Sequence, residues 1–177
     1  MAHLACYISE EMGLSKDRIT GVRLAALLHD IGKVAVPNNI LNNPDHLTEA
    51  EMNIIRGHPQ VGYDILKDIE FPWPVAQIVL QHHERVNGSG YPLSLSGNDI
   101  LLEAKILGVA DVVDAVTSPR LYRRPIPLDK ALNEISQNSG ILYDFSVVYA
   151  CLSIFNEKNL NLNRRTIRIQ VKSKTFY

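Results

Sequence analysis

One short stretch of this chain combines three side chains that could do chemistry together. His29, Asp30 and Lys33 place an imidazole, a carboxylate and an ammonium group within five residues, around Gly32 and at the end of an apolar helical pattern. Burial of such groups is costly unless they are paired or bind a metal. A cation held between His29 and Asp30 would satisfy both. Two adjacent residues make a weak motif, however, and a solvated helix end would look the same.

Further residues of metal-ligand type follow at intervals of about one helix and its connection: His58, His82, His83 and Asp111. Successive helices of a bundle can project such residues toward one centre. Imidazole and carboxylate ligands suit iron, manganese or zinc. Two neighbouring ions can hold a phosphodiester, activate water and stabilise a leaving alkoxide, and Lys33 would then meet phosphate. The alternative for His82 and His83 is an ordinary buried pair.

The elements that must position these residues read as helices. An apolar stripe over residues 4–12 stops at Gly13, and Ser15 caps a second helix that we expect to run to Gly32. Residues 34–47 are rich in proline, asparagine and aspartate, which predicts turns. Thr48-Glu49-Ala50-Glu51 is a capping box that predicts a helix start. Gly57-His58-Pro59 interrupts that helix, so we expect His58 at a corner.

The second half of the chain continues this helical pattern around one long loop. Residues 86–99 contain three glycines and a proline, and we expect them to form a loop that starts where the histidine helix ends. In the helix predicted over 100–117, Asp111 and Asp114 share a face with core residues. Shorter helices are predicted around 131–135 and 144–155. Only residues 166–172 alternate as a strand does. The prediction is an all-α bundle with a short C-terminal β segment.

Composition narrows the functional classes. The chain has 177 residues, 46% of them hydrophobic, which fits one domain with an appendage. A formal net charge of -1 gives no overall attraction to DNA or to anionic membranes. No apolar run has spanning length and no signal peptide is apparent, so we expect a cytoplasmic protein without a membrane segment. Cys6 and Cys151 suggest neither a disulfide framework nor a thiolate metal site.

Charge divides the chain into an acidic body and a basic tail. Residues 1–157 carry 12 Lys and Arg against 19 Asp and Glu, whereas residues 158–177 carry six cations and no acidic side chain. We therefore expect a domain over 1–157 and a tail of open role over 158–177. The chain also begins directly in helical periodicity, from which we expect a truncated first helix and a preceding sensor or receiver domain.

Three motifs together resemble the HD-GYP family of the HD superfamily. They are His29-Asp30-Ile31-Gly32-Lys33, then His82-His83-Glu84-Arg85 with Asn87-Gly88-Ser89-Gly90-Tyr91-Pro92, then Asp111-Val112-Val113-Asp114-Ala115. They occur in the expected order, and the resemblance covers the chain from its start to about Ser146. It implies an all-helical domain with two or three divalent ions, Fe or Mn first among them, that hydrolyses cyclic di-GMP to pGpG or GMP.

The resemblance also implies roles for individual residues. The metal-ligand positions match His29, Asp30, His58, His82, His83 and Asp111. Asp30 and Lys33 are the catalytic candidates, and the substrate contacts match Lys33, Gly90, Tyr91, Pro92, Arg120 and Arg123. Asp114 is expected to contact a metal ligand or Lys33 and to orient it, without binding the metal itself. Glu84 is interpreted as a helix-end charge without a catalytic part, and His3 and His46 as surface residues. For Arg120 and Arg123, the alternative to phosphate contact is a solvated loop.

Two departures from the family pattern leave other functions open. The pattern usually opens with a metal-binding histidine a few residues before Met1, and His3 is out of register for that role. Asn87 stands where an acidic residue is usual. A cyclic-dinucleotide-binding module with weak or no catalysis is therefore one alternative, and a phosphohydrolase for another nucleotide is the other. The expected partners are the cyclic dinucleotide, a cyclase domain and a second copy of the chain, but not DNA.

Overall fold

The computed structural model describes residues 1–43, 46–117 and 127–158. The α-helices within these ranges are α1 (Ala2–Glu11), α2 (Lys16–Leu28), α3 (Asn38–Leu41), α4 (Glu49–Arg56), α5 (His58–Leu66), α6 (Val75–Gln81), α7 (Leu102–Thr117), α8 (Leu128–Gln137) and α9 (Phe145–Lys158). Two short 3-10 helices span Ile31–Ala35 and Gly97–Asp99. The all-α prediction is confirmed, while the β segment predicted over 166–172 lies outside the described residues.

The first two helices begin as the sequence predicts, but the second ends earlier. Gly13, with φ of +74°, follows α1, and the Ser15 hydroxyl accepts a hydrogen bond from the Arg18 amide at the start of α2. α2 ends at Leu28 rather than at Gly32, which lies inside the following 3-10 helix. A Cβ at Gly32 would collide with the His58 carbonyl and the Gly62 amide. This glycine therefore allows two backbones to pack closely instead of terminating a helix.

The predicted corner at His58 is confirmed. The capping box is formed at α4, because Thr48 and Glu51 exchange hydrogen bonds between side chain and backbone. α4 ends at Arg56, and α5 begins at His58 after the single residue Gly57. In the region predicted as turns, one short helix, α3, follows Pro37.

Helix α6 lies at the centre of the bundle and packs against α2, α5 and α7. Its side chains are buried along nearly its whole length, including Val75, Ile78 and Val79. α1 covers the other side of the core through contacts with α2, α7 and α9. The helices that carry the predicted ligands are thus neighbours of one central helix. None of the helices that can be described is long and apolar enough to cross a lipid bilayer.

Candidate metal centre

The six predicted ligands converge where the end of α2, the start of α5, the end of α6 and the middle of α7 meet. The ring nitrogens of His58, His82 and His83 lie within 4.8 Å of one another. On the opposite side, His29 Nε2 is 3.3 Å from Asp30 Oδ2 and 3.9 Å from Asp111 Oδ1. The structure therefore brings together residues that the sequence separates by up to 82 positions.

Asp30 joins the two sides of this cluster. Its Oδ2 faces His29, while its Oδ1 lies 3.4 Å from His58 Nε2. Lys33 donates a hydrogen bond of 2.7 Å to the same Oδ2. Burial opposes ionisation of Asp30, but the hydrogen bonds and charges of His29 and Lys33 outweigh it and hold the pKa of this carboxyl far below its usual range. Asp30 is therefore an ionised carboxylate that faces both sides of the cluster.

Three of the histidines are oriented in the same way, each by a backbone carbonyl three residues earlier. Nδ1 lies 2.8 Å from the Ala26 carbonyl in His29, 2.7 Å from the Ile55 carbonyl in His58 and 2.6 Å from the Val79 carbonyl in His82. A carbonyl can only accept, so Nδ1 carries the proton in each ring. In the neutral ring Nε2 then carries a lone pair that faces the cluster, as in the metal-bound histidines of other proteins.

The environment also keeps most of these rings neutral. Burial lowers the pKa of His82 to about 3 and lowers the pKa of His58 and of His83. For His29, burial opposes protonation, but the hydrogen bond and the charge of Asp30 outweigh it and raise the pKa. Metals bind the neutral imidazole, so a cluster of rings that resist protonation suits a metal site.

The donor set fits divalent ions. His58 Nε2 and His82 Nε2 are 3.4 Å apart with no proton to share, which is an unfavourable contact unless a cation lies against both. The set contains only imidazole nitrogens and carboxylate oxygens, which suits iron, manganese or zinc. His58, His82, His83 and Asp30 could hold one ion, and His29, Asp111 and Asp30 a second.

The loop after α6 covers His83. The Tyr91 ring lies against the His83 ring with 4.8 Å between centroids and 31° between planes, and the Tyr91–Pro92 peptide bond is cis. Burial raises the pKa of Tyr91 to about 12, so its hydroxyl stays protonated. Gly90 packs directly on the backbone of Glu84 and Arg85, where a Cβ would collide. The loop residues predicted to contact substrate thus border the candidate metal centre.

The remaining candidates from the sequence are Asp114, two further histidines and two arginines. Asp114 Oδ1 accepts a hydrogen bond of 2.8 Å from the α-amino group of Met1. His3 is exposed and lines a surface groove with Cys6 and Arg23, and His46 is exposed as predicted. Arg120 and Arg123, the predicted phosphate contacts, lie outside the described residues.

Sequence reasoning missed two buried polar residues beside the histidine pair. Glu84 is 6% exposed, and its carboxylate accepts hydrogen bonds from the amides of Leu93 (2.7 Å) and Leu95 (3.0 Å). Gln81 accepts one from the Leu101 amide at 2.8 Å. The prediction of a simple helix-end charge at Glu84 is wrong. The signal available in the sequence was the apolar pattern of α6, which predicts a buried helix. Polar residues at the end of a buried helix need hydrogen-bond partners.

Asn87 is explained by its hydrogen bonds. Its Oδ1 accepts from the backbone amide of Ser89 at 3.0 Å and from the Ser89 hydroxyl at 2.7 Å. An aspartate would make the same local turn, since both residues bond their own backbone two positions on. The replacement therefore changes the charge of the loop but not the turn.

Comparison with known proteins agrees with this architecture. The family model described as "HD domain" matches residues 1–147. The cyclic di-GMP phosphodiesterase response regulator RpfG of Xanthomonas campestris is 44% identical over 86% of this chain and 41% of its own length. A cyclic di-GMP phosphodiesterase of Thermotoga maritima is 43% identical over 85% of this chain and 41% of its own length. The chain therefore spans about two fifths of the length of these relatives.

Solved structures show the same fold. The protein Bd1817 of Bdellovibrio bacteriovorus, described as an HDG"Y"P protein, superposes with a TM-score of 0.71 at 22% identity, over 88% of this chain and 50% of its own. The helical bundle is that of an HD domain. The chain belongs to the HD domain family and, by its His-Asp and Gly-Tyr-Pro motifs, to the HD-GYP group within it.

Proposed function

We propose that this domain is a metal-dependent phosphodiesterase that hydrolyses cyclic di-GMP to pGpG or GMP. The expected cofactor is a pair of divalent ions, with Fe and Mn as the first candidates. A third ion is the alternative stoichiometry. The names of the relatives support the reaction class and the substrate class. Because those relatives are much longer than this chain, the activity is assigned here to the domain alone.

The observation that carries the proposal is the convergence of three imidazole Nε2 lone pairs and two carboxylates on one region. In His29, His58 and His82, Nδ1 faces a carbonyl, so the neutral ring offers Nε2 to a metal, and Asp30 faces both sides of the cluster. When bound, two ions supply Lewis-acid activation of a phosphodiester and of a water molecule. This chemistry matches the hydrolysis of a phosphodiester better than that of a neutral substrate.

The remaining residues supply charge and orientation. Lys33 Nζ, held 2.7 Å from Asp30, retains further N–H groups that can donate to a phosphate oxygen. The Tyr91 hydroxyl, protonated at neutral pH, can donate to a nucleotide at the edge of the centre. Asp30 stays ionised and accepts a hydrogen bond from Lys33, so it fixes the cation of Lys33 next to the candidate ligands.

Incubation of metal-loaded protein with cyclic di-GMP, followed by chromatography of the products, tests the proposal. We expect linear pGpG, GMP or both with Mn²⁺ or Fe²⁺, and no product after chelation. The His82→Ala variant should be inactive under the same conditions, whereas His3→Ala, which changes an exposed histidine, should keep the activity. Absence of turnover with Fe²⁺, Mn²⁺ and Zn²⁺ would contradict the proposal.

A panel of cyclic dinucleotides separates the alternative functions. A binding module would show calorimetric binding of cyclic di-GMP without product. An enzyme for a different nucleotide would turn over a mixed guanine-adenine or an all-adenine cyclic dinucleotide faster than cyclic di-GMP. A sensor or receiver domain, a cyclase-domain partner and a homodimer stay predictions, as does a role for residues 158–177.

A further inference from the structure

His83 differs from the other three histidines of the centre in how its ring is held. In His29, His58 and His82, Nδ1 donates to a backbone carbonyl three residues earlier. Within the described part of the chain, no hydrogen bond of this kind reaches His83. Its ring lies instead against three other rings, with centroid distances of 4.8 Å to Tyr91, 4.0 Å to His82 and 5.1 Å to His58.

Tyr91 is itself fixed by the loop that carries it. Its backbone amide donates to the His83 carbonyl at 3.4 Å, and the preceding Gly90 lies in contact with the backbone of Glu84. After Tyr91, the chain returns to Glu84, whose two carboxylate oxygens accept from the amides of Leu93 and Leu95.

We propose that Glu84 and Tyr91 are positioning residues for the metal ligand His83. The Glu84 carboxylate fixes the loop, and the flat face of the Tyr91 ring fixes the plane of the imidazole, in place of the backbone hydrogen bond that orients the other three rings. This inference rests on the proposed function, since it takes His83 as a metal ligand. It gives the Gly-Tyr-Pro loop a part in metal binding that is separate from any contact of the Tyr91 hydroxyl with substrate.

Two substitutions distinguish the role of the Tyr91 ring from the role of its hydroxyl. Tyr91→Phe keeps the flat face against His83, whereas Tyr91→Leu removes it while it retains an apolar side chain. Glu84→Gln keeps the size of the side chain but turns one of its two acceptors into a donor, so one of the two loop amides loses its partner. Residues that orient a metal ligand commonly contribute about ten- to a hundred-fold in metal affinity.

Calorimetric titration of the metal-stripped protein with Mn²⁺, in the absence of nucleotide, tests the proposal. We expect Tyr91→Leu and Glu84→Gln to weaken the binding of one ion by about ten-fold or more. Tyr91→Phe should bind Mn²⁺ as the wild type does. The matched controls are Tyr149→Leu, a tyrosine that is 66% exposed, and Asp144→Asn, which changes another carboxylate that accepts two backbone amides. Both should leave the affinity unchanged.

Nuclear magnetic resonance of the metal-free protein gives a second readout. The imidazole signals of His83 should shift and broaden in Tyr91→Leu and Glu84→Gln, while those of His29 stay in place, and the amides of Leu93 or Leu95 should exchange faster in Glu84→Gln. Wild-type Mn²⁺ affinity or unchanged His83 signals in both variants would overturn the proposal, and so would equal losses in Tyr91→Phe and Tyr91→Leu. Failure of the wild type to bind any of Mn²⁺, Fe²⁺ and Zn²⁺ would instead contradict the proposed function, and the His83 signals would still decide the positioning.

Discussion

The Nε2 atoms of His58 and His82 lie 3.4 Å apart, and neither ring has a proton to place between them. Both rings use their Nδ1 proton on a helix carbonyl, and burial lowers the pKa of both, so two lone pairs face each other in a buried site. The fold therefore holds together an arrangement that is unfavourable by itself. A cation between the two rings would convert it into a stabilising one.

We expect divalent metal to raise the thermal stability of the domain. A ligand present at about a hundred times its dissociation constant stabilises the native state by about 2.7 kcal/mol. For a domain of this size this corresponds to a rise in Tm of roughly 5–10 °C. Thermal unfolding with Mn²⁺ and after chelation measures the shift. The His3→Ala variant should show the same shift and His58→Ala should lose it, and a Tm that is independent of metal in the wild type would contradict the prediction.

Asp30→Ala should abolish metal binding and hydrolysis without unfolding the domain. The side chain is 40% exposed and contributes charge rather than core volume. Turnover should fall by at least about a hundred-fold, since the loss of even an outer partner of a ligand commonly costs ten- to a hundred-fold. Elemental analysis, circular dichroism and product assays are the measurements. Normal metal content with lost activity would restrict Asp30 to a catalytic role, and wild-type turnover would exclude it from the centre.

Lys33→Gln should slow hydrolysis, and a second lysine of this chain offers a matched control. Lys33 pairs with Asp30 at 2.7 Å and Lys67 pairs with Asp64 at 3.0 Å, both across three residues. Of these two pairs, only the first borders the candidate metal centre. The loss of one charged donor to the reacting phosphate commonly reduces kcat by about a hundred-fold or more. We expect this loss in Lys33→Gln and wild-type kcat in Lys67→Gln, and equal rates in the two variants would remove Lys33 from the reaction.

The sequence was informative wherever one residue type has few structural uses. Ser15 and the Thr48/Glu51 capping box located helix starts, because few residues can satisfy the free amides of a first turn. The six candidate ligands were found for the same reason. Histidines and aspartates on apolar faces need partners that helix geometry alone does not supply.

The sequence was misleading where a residue serves a contact that is distant along the chain. Gly32 looked like a helix terminator, but it lies against the carbonyl of His58. Glu84 looked like a charge at a helix end, but it is buried and binds two amides 9 and 11 residues later. Both roles depend on which segments become neighbours in the fold, and no local pattern carries that information.

Asp144 should make the stability of the domain depend on pH in the acid range. It precedes α9 and accepts hydrogen bonds from the Ser146 and Val147 amides and from Lys105. Burial by itself would raise the pKa of Asp144. The hydrogen bonds from Ser146 and Lys105 outweigh this effect, so the pKa is lowered. The stabilisation is therefore fully present above the unfolded value of about 3.9 and is lost as the pH falls through the folded value.

Asp144→Ala should cost about 1 kcal/mol at pH 7, the usual effect of removing such a cap. Urea unfolding of the variant and the wild type, at pH 7 and at stepwise lower pH, measures the difference in free energy. The gap between the two proteins should narrow below about pH 4. A constant gap down to pH 2 would show that the ionised carboxylate does not cap α9.

Gly32→Ala should separate the two halves of the metal centre. The new methyl group would collide with the backbone of α5 at His58 and Gly62, so the 3-10 helix after Asp30 must move away from α5. In the wild type, His58 Nε2 lies 3.4 Å from Asp30 Oδ1. In the variant these two atoms would no longer face the same ion. Overpacking of this kind commonly costs about 1–3 kcal/mol. We expect a lower free energy of unfolding together with a loss of bound metal.

The matched control for this substitution is Gly57→Ala, next to His58. Gly57 has φ of -75°, which any residue adopts, and a Cβ there would meet its nearest neighbour, the Ile54 carbonyl, at 3.3 Å. That variant should keep its metal, because no second backbone segment has to move. Elemental analysis and urea unfolding of both variants decide the question. If Gly32→Ala kept wild-type metal content while it lost stability, close backbone packing at Gly32 would support the fold but not the alignment of Asp30 with His58.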